Sequence, residues 1–568
     1  MVHPVRAKNT GLAIAATLAA TAVAQNGTYS NHTTIHWGPC PGGAAAAPIV
    51  CGELPVPLDY TSNQTGEMLT LQLTKVPATA QPSRGSILLN FGGPGNDGRT
   101  LLAQYAPLLP LWVSFPAMPP FSWWVVAEAY TRLTGVKRIR RRVRHDRHRP
   151  APGIICSGTG NTIPFSCYQN ETLRRAGQAT VRSDRANSSD ATPGRLWAEA
   201  QVLANDCGSA LANTTGSLVG TAFTARDFMK VVDALGEDGL LRYWGFSYGT
   251  VLGSTLAAMF PDRIDRMVMD GIVNIHEWQH GLPVEAIVDY DKTFRAFLTA
   301  CVANPNNCAL ARGNGGNINR TATALETSIY DLLDRTKYAP FAVGSRLVDY
   351  TTIKSLIDAG LRSPPTWPEL ASILDACLGS NNTPDLSRLA TLFANSTLFN
   401  TWNPPPKPTK ASAAATSRSA PRTRGPWTPT TPPRTASAPR LAGDIGLATQ
   451  MQCARWPMLA KGRYEGDFRV RTRHPILLIG NAADPVTPMA SARNASAGFA
   501  GSVVLEHKGF GHASVAQPST CTLAKVRDYF TSGALPAPGT ACEVDQPAFA
   551  PAPGNGTGPA ANLRRALL

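Results

Sequence analysis

The chain has 568 residues, 43% hydrophobic and 16% charged, with 49 Gly and 47 Pro. That composition is globular and loop-rich; it excludes a wholly disordered chain and a coiled coil, and the length fits two to four average domains or one large core with an insertion. The net charge of +15 suggests an anionic partner, yet it is confined to two stretches: Arg132 to Arg149, with nine basic residues and one acid, and Thr401 to Arg440, with seven and none. The rest of the chain is balanced, so no nucleic-acid partner is expected.

At the amino terminus, Arg6 and Lys8 precede an uncharged, Ala-rich run from Gly11 to Ala24, ending Ala22-Val23-Ala24. These are the three regions of a secretory signal peptide, placed at residues 1–24, and the run is too short to span a bilayer. Eleven Asn-x-Ser/Thr acceptors agree with export. Eleven cysteines in an exported chain imply disulfides, and their clustering suggests Cys40 with Cys51, Cys167 with Cys207, Cys301 with Cys308 and Cys521 with Cys542. The sequence holds no Cys-x-x-Cys pair and no Cys/His cluster at zinc spacing, so neither a metal nor a cofactor is expected. Prolines 110, 116, 119 and 120 break the apolar run Leu108 to Val126, which argues against a membrane segment. The expectation is a secreted protein with no membrane contact after signal cleavage.

Four separated segments carry chemistry. Ser86-Ile-Leu-Leu-Asn90 reads as a short buried strand running into Phe91-Gly92-Gly93-Pro94-Gly95, a turn able to aim a backbone N–H at a developing oxyanion. From Leu240 a strand-like run enters Gly245-x-Ser247-x-Gly249, and a helix-like run continues from Leu252 to Met259. Strand, tight turn and helix make a nucleophile elbow, with the N–H of Tyr248 as the second oxyanion donor. The apolar strand His474 to Asn481 is followed by Asp484, and a further strand, Gly501 to Glu506, by Gly509-Phe-Gly-His512. Parallel strands present their carboxyl ends at one edge, which gathers these residues. The order Ser247, Asp484, His512 is that of an α/β-hydrolase triad, in which histidine takes the serine proton and aspartate fixes its tautomer. A β-turn at Gly92 and Gly93, a helix cap at Asp484 and a solvated His512 are the plainer alternatives.

Taken together, the chain resembles the tripeptidyl-aminopeptidase-like and prolyl-iminopeptidase-like serine hydrolases, an exported branch of the α/β-hydrolases. The matching pieces are Cys51 to Tyr60, Asn90 to Gly95, Gly158 to Thr162, Thr224 to Asp227 leading into the elbow, Phe260-Pro-Asp-Arg-Ile, Met269-Asp-Gly271, Ile476 to Pro488, Gly509 to His512 and the tail to Cys542. The resemblance implies a mostly parallel sheet with helices on both faces. Its core lies at 25–274 and 443–545, the latter a TAP-like carboxyl-terminal part, with a helical cap inserted at 275–442. Residues 546–568 form a disordered tail. It further implies an exopeptidase acting on peptides with free amino termini, with Ser247, Asp484 and His512 as the triad, Gly92, Gly93 and Tyr248 at the oxyanion hole, and an acidic cap group for the substrate amine, for which Glu277, Asp289 and Asp291 are candidates.

Two departures stand against it. Between the oxyanion turn and Gly158 the family has a strand with an Asp-x-Arg-Gly-type turn, whereas residues 111–157 here are Trp/Pro-rich and then Arg-rich, a composition that predicts an irregular, exposed segment. Residues 403–440, rich in Pro and Arg, predict disorder within the cap. A retained intron or a shifted reading frame would leave this pattern; a genuine insertion is the alternative. The competing functions are an esterase or lipase on the same scaffold, since a triad does not encode the acyl donor, and a catalytically impaired homologue or non-catalytic binding protein.

Overall fold

The computed structural model describes residues 34–40, 49–62, 66–78, 83–94, 98–105, 122–126, 167–168, 172, 184–211, 216–281, 284–312, 320–398 and 440–550. In chain order the first seven strands are β1 (His36–Pro39), β2 (Val50–Pro57), β3 (Met68–Val76), β4 (Ser86–Asn90), β5 (Ser122–Val126), β6 (Leu241–Phe246) and β7 (Ile264–Asp270). A small hairpin follows, β8 (Phe341–Val343) with β9 (Arg346–Val348), and then β10 (Leu477–Ala483), β11 (Val503–Phe510) and β12 (Ala541–Cys542). Apart from the hairpin they form one sheet of ten strands in the order β1-β2-β3-β5-β4-β6-β7-β10-β11-β12. The meander β1-β2-β3 and its junction with β5 are antiparallel; from β5 onward every neighbour is parallel.

The central strands carry apolar runs on both faces, Ile87 to Leu89, Met267 to Met269 and Leu477 to Ile479, because both faces are covered. Successive side chains alternate between the faces. Leu88, Tyr243, Met267, Met269 and Leu478 pack on one side, toward helices Thr221–Leu235, Tyr248–Met259 and Met489–Gly498. Ile87, Leu89, Trp244, Val268, Leu477 and Ile479 pack on the other, against Leu102 and against Val526, Tyr529 and Phe530 of helix Thr520–Ser532. Between β7 and β10 the chain builds a separate apolar cluster from helices Tyr290–Ala303, Ala322–Tyr338, Tyr350–Leu361, Trp367–Leu378 and Leu386–Asn395. All four expected cysteine pairs are bonded: Cys40–Cys51, Cys167–Cys207, Cys301–Cys308 and Cys521–Cys542.

Two expectations are corrected. Residues 122–126 are not irregular: β5 lies inside the sheet, antiparallel to β3 through Leu73 and Val126, and parallel to β4 through Leu89 and Val125. The prolines stop at Pro120 and the basic tract begins at Arg132, leaving Ser-Trp-Trp-Val-Val, whose aromatic and β-branched residues suit a pleated surface. No gap therefore opens beside β4. Nor does the ordered chain stop at 545, because Ala548 and Phe549 are buried in the cap cluster. Phe549 lies 5.9 Å from the Phe297 ring and 6.1 Å from Trp367, and its carbonyl accepts from Asn307 Nδ2 at 2.9 Å. A single aromatic anchor in a Pro/Ala-rich stretch escapes a reading by composition. The signal segment 1–24, the rest of 111–157, Cys156, residues 403–439 and residues 551–568 lie outside the described residues.

Candidate active site

At the end of β6 the chain reverses sharply into helix Tyr248–Met259, and Ser247 occupies the turn with φ 56° and ψ −122°. Few non-glycine residues adopt such a backbone, and here the surroundings fix it. Ser247 N–H donates to the Asp270 carbonyl at 3.0 Å, while the Ser247 carbonyl accepts from Thr250 N–H at 2.8 Å and Thr250 Oγ1 at 2.6 Å. Close approach demands glycine before the turn: a Cβ on Gly245 would stand 2.5 Å from the Gly249 carbonyl oxygen.

β4 delivers the turn that faces this elbow. Gly92 has φ +82°, and a Cβ there would lie 2.5 Å from the Phe246 carbonyl oxygen and 2.8 Å from Ser247 Cβ. Its N–H donates to Asn90 Oδ1 at 2.9 Å, so the Gly92 amide is engaged within the turn itself. The Tyr248 side chain points away into packing, with its hydroxyl 2.9 Å from Thr221 Oγ1 and its ring 5.5 Å from Trp278.

Asp484 follows β10 and is fully buried. Its Oδ1 accepts from Val486 N–H at 2.8 Å and Thr487 N–H at 2.9 Å; its Oδ2 accepts from Thr487 Oγ1 at 2.7 Å and Ala513 N–H at 2.9 Å. His512 Nδ1 sits 3.1 Å from Oδ2 and 3.2 Å from Oδ1. Burial pushes the Asp484 carboxyl up, but the charge of His512 and the hydrogen bonds from His512, Thr487 and Ala513 outweigh it and hold the group below the usual carboxylate range. An ionised carboxylate on Nδ1 favours the Nδ1–H tautomer and leaves the lone pair of the neutral ring on Nε2.

The loop bearing His512 is strapped from several directions. His512 N–H donates to the Arg362 carbonyl of the cap at 2.8 Å, and Asn481 Nδ2 donates to the carbonyls of Gly511 (2.9 Å) and Ala513 (2.7 Å). Two residues on, Ser514 N–H donates to Asp270 Oδ1 at 2.8 Å and Ser514 Oγ to Asp270 Oδ2 at 2.5 Å. Asp270, Asn90, Asn481, Thr487 and Arg362 had no role in the sequence reading. A common signal was present for three of them, since Asn90, Asp270 and Asn481 are polar residues that follow the apolar runs Ile87 to Leu89, Met267 to Met269 and Leu477 to Ile479 near the carboxyl ends of their strands.

The three acids considered for a substrate amine are engaged elsewhere. Both Glu277 oxygens accept from Glu285 N–H, at 2.9 and 2.8 Å. Asp291 accepts from Arg440 N–H at 2.7 Å and Leu441 N–H at 3.0 Å, holding the returning end of the cap. Asp289 bonds the Met489 N–H at a helix start and lies 3.9 Å from Lys292 Nζ. Each of the three thus accepts from main-chain N–H groups.

Residues 154–303 match the family described as alpha/beta hydrolase fold, and residues 439–542 the family described as TAP-like protein. The two matches place an α/β-hydrolase domain before a TAP-like one, the order of the TAP-like α/β-hydrolases that this chain is similar to. It is 24% identical over 538 residues to "Serine protease Hip1" of Mycobacterium tuberculosis (strain ATCC 25618 / H37Rv), covering 89% of this chain and 91% of that protein. It is 29% identical over 233 residues to "Tripeptidyl aminopeptidase" of Streptomyces coelicolor, covering 40% and 36%. "Carboxylesterase B" of Mycobacterium tuberculosis is 26% identical over 513 residues, covering 87% and 86%.

Proposed function

We propose that the protein is a secreted serine exopeptidase that releases short peptides or single residues from free peptide amino termini through an acyl-enzyme. The observation that carries the reading is the bonded pair Asp484 and His512 on the same sheet edge as a serine in a strained elbow. His512 Nε2 takes the Ser247 Oγ proton as the oxygen attacks the scissile carbonyl, and Asp484 fixes the tautomer and stabilises the imidazolium. N–H groups of Gly93 and Tyr248 stabilise the tetrahedral oxyanion. The imidazolium then gives its proton to the leaving amine, and water, deprotonated by the same nitrogen, hydrolyses the acyl-enzyme. Export is supported by four disulfides in the fold and by the amino-terminal sequence pattern.

An esterase is the second reading, favoured by the similarity to "Carboxylesterase B" over most of both chains. A fluorophosphonate probe and matched substrates separate the two. Labelling is expected at Ser247 and lost in Ser247→Ala, with turnover lowered on the order of 10⁴-fold or more. Anilides of short peptides with free amino termini are expected to be cleaved and their acetylated forms not. Labelling that persists at another serine removes the nucleophile, and a clear preference for acyl esters moves the assignment to esterase.

A further inference from the structure

Asp270 ends β7 in the interior of the sheet, fully buried, and nothing in the triad requires it. A buried carboxylate is costly unless charge and hydrogen bonds compensate it, so its partners matter. Its main-chain carbonyl accepts the N–H of Ser247 at 3.0 Å. Its two carboxylate oxygens accept both donors of Ser514, the N–H at 2.8 Å and the hydroxyl at 2.5 Å. One residue therefore joins the elbow to the histidine loop.

The loop itself needs such a hold. Three successive N–H groups, of His512, Ala513 and Ser514, donate to three acceptors from different parts of the chain: the Arg362 carbonyl, Asp484 and Asp270. Ala513 between them has φ +61°, a left-handed conformation that a non-glycine residue keeps only when its neighbours enforce it. A Cβ on Gly271, next to Asp270, would lie 2.9 Å from Ala513 Cβ, so the end of β7 also sets how closely the loop can sit.

We propose that Asp270 is a positioning residue for His512, a second buried carboxylate that sets the imidazole's orientation through Ser514 and adds negative charge beside the imidazolium formed in each half-reaction. This rests on the reading of Ser247 and His512 given above. The charged groups facing Asp270 are Asp484, from the end of β10, and His512, from the loop after β11. Burial pushes the Asp270 carboxyl up to about 6, against the pull of the Ser514 bonds and the His512 charge, so it is ionised at neutral and higher pH.

The test compares the full secreted chain with Asp270→Asn and Ser514→Ala, using the rate of fluorophosphonate labelling as a function of pH, the labelled fraction at completion and the melting temperature. Asp270→Asn is expected to lower the rate about 10- to 100-fold with complete labelling of the folded protein. The acid limb of its profile moves to lower pH, because the imidazolium loses a stabilising negative charge. Ser514→Ala gives a smaller loss, with Asp270 still ionised and the acid limb near its wild-type place. A purely structural role would reduce the melting temperature and the labelled fraction and leave the profile unmoved, and that result overturns the proposal; so does wild-type behaviour of Asp270→Asn. If Asp270→Asn does not fold, Ser514→Ala decides, and a wild-type rate there overturns it. Failure of the wild type to label at Ser247 is seen before any variant is compared; it overturns the reading of the site and this inference with it.

Discussion

The elbow and the histidine loop are held by different kinds of contact. Around Ser247 the supports are mostly close in sequence: Thr250 on the serine carbonyl, Tyr243 Oη on the Gly249 carbonyl at 2.7 Å, and glycines that let strand and helix touch. Around His512 the N–H groups of residues 512–514 and the imidazole are held from further along the chain: by Arg362 in the helical cluster, Asp270 on β7, and Asp484 after β10, with Asn481 holding the carbonyls on either side. A short motif can therefore announce the elbow, while the histidine loop depends on the completed fold.

The largest expected effect tests the local half of that contrast. Gly92→Ala puts a methyl group 2.5 Å from the Phe246 carbonyl oxygen and forces a side chain onto φ +82°. The turn must shift, and with it the N–H groups proposed above as oxyanion donors, so kcat is expected to fall on the order of 100-fold with little change in KM. Steady-state kinetics on the peptide anilide read this; an unchanged kcat would show the elbow to be more tolerant than its packing indicates.

Phe549→Ala tests the distant half. The ring packs on Trp367, and Trp367 in turn stacks on Phe510 at 5.8 Å, two residues before His512. Truncating a buried Phe costs about 3 kcal/mol or more. Thermal unfolding should show that loss, and probe labelling should slow a few-fold; if only stability changes, the cap braces the fold without setting the loop.

The smallest effect concerns His507 on β11, the strand that feeds the loop. It is fully buried, with Nε2 2.9 Å from the Gln517 carbonyl and Nδ1 2.9 Å from Thr522 Oγ1. The carbonyl can only accept, so the neutral Nε2–H tautomer satisfies both partners. Burial lowers its pKa to about 4. The unfolded chain, near 6.5, takes up the proton first, so stability is present above that value and lost as pH falls from 6.5 toward 4. Urea unfolding should show about 2 to 3 kcal/mol of acid sensitivity that His507→Gln removes. If the variant keeps the same acid loss, His507 is not its source.

The same division explains what could be read before the fold was known. Ser86–Asn90 came out with its bounds, because a run of buried apolar residues ending in a Gly-Gly turn leaves little choice. The cysteine pairs were legible because each closes a loop of 7 to 40 residues. β5 was not, since five suitable residues sit between a proline cluster and an arginine tract whose composition dominates any window. The contacts of Phe549 and Asp270 were missed for another reason: their partners lie more than 240 residues away in Asn307 and Ser514, so no local window shows them.

The sheet's two ends carry a further consequence. A ten-stranded sheet would ordinarily offer two long rows of unpaired N–H and C=O groups to any passing chain, yet among the described residues its outermost strands are β1, four residues, and β12, two residues, or about 13 Å and 7 Å of ribbon. Each is also covalently anchored, β1 by Cys40, the residue after it, to Cys51 on its neighbour, and β12 by its own Cys542 to helix Thr520–Ser532. Stubs fixed in this way cannot slide, lengthen or peel back to receive another strand. A molecule that must persist beside other exposed polypeptide, including its own substrates, is thereby protected from being templated by them along its largest element.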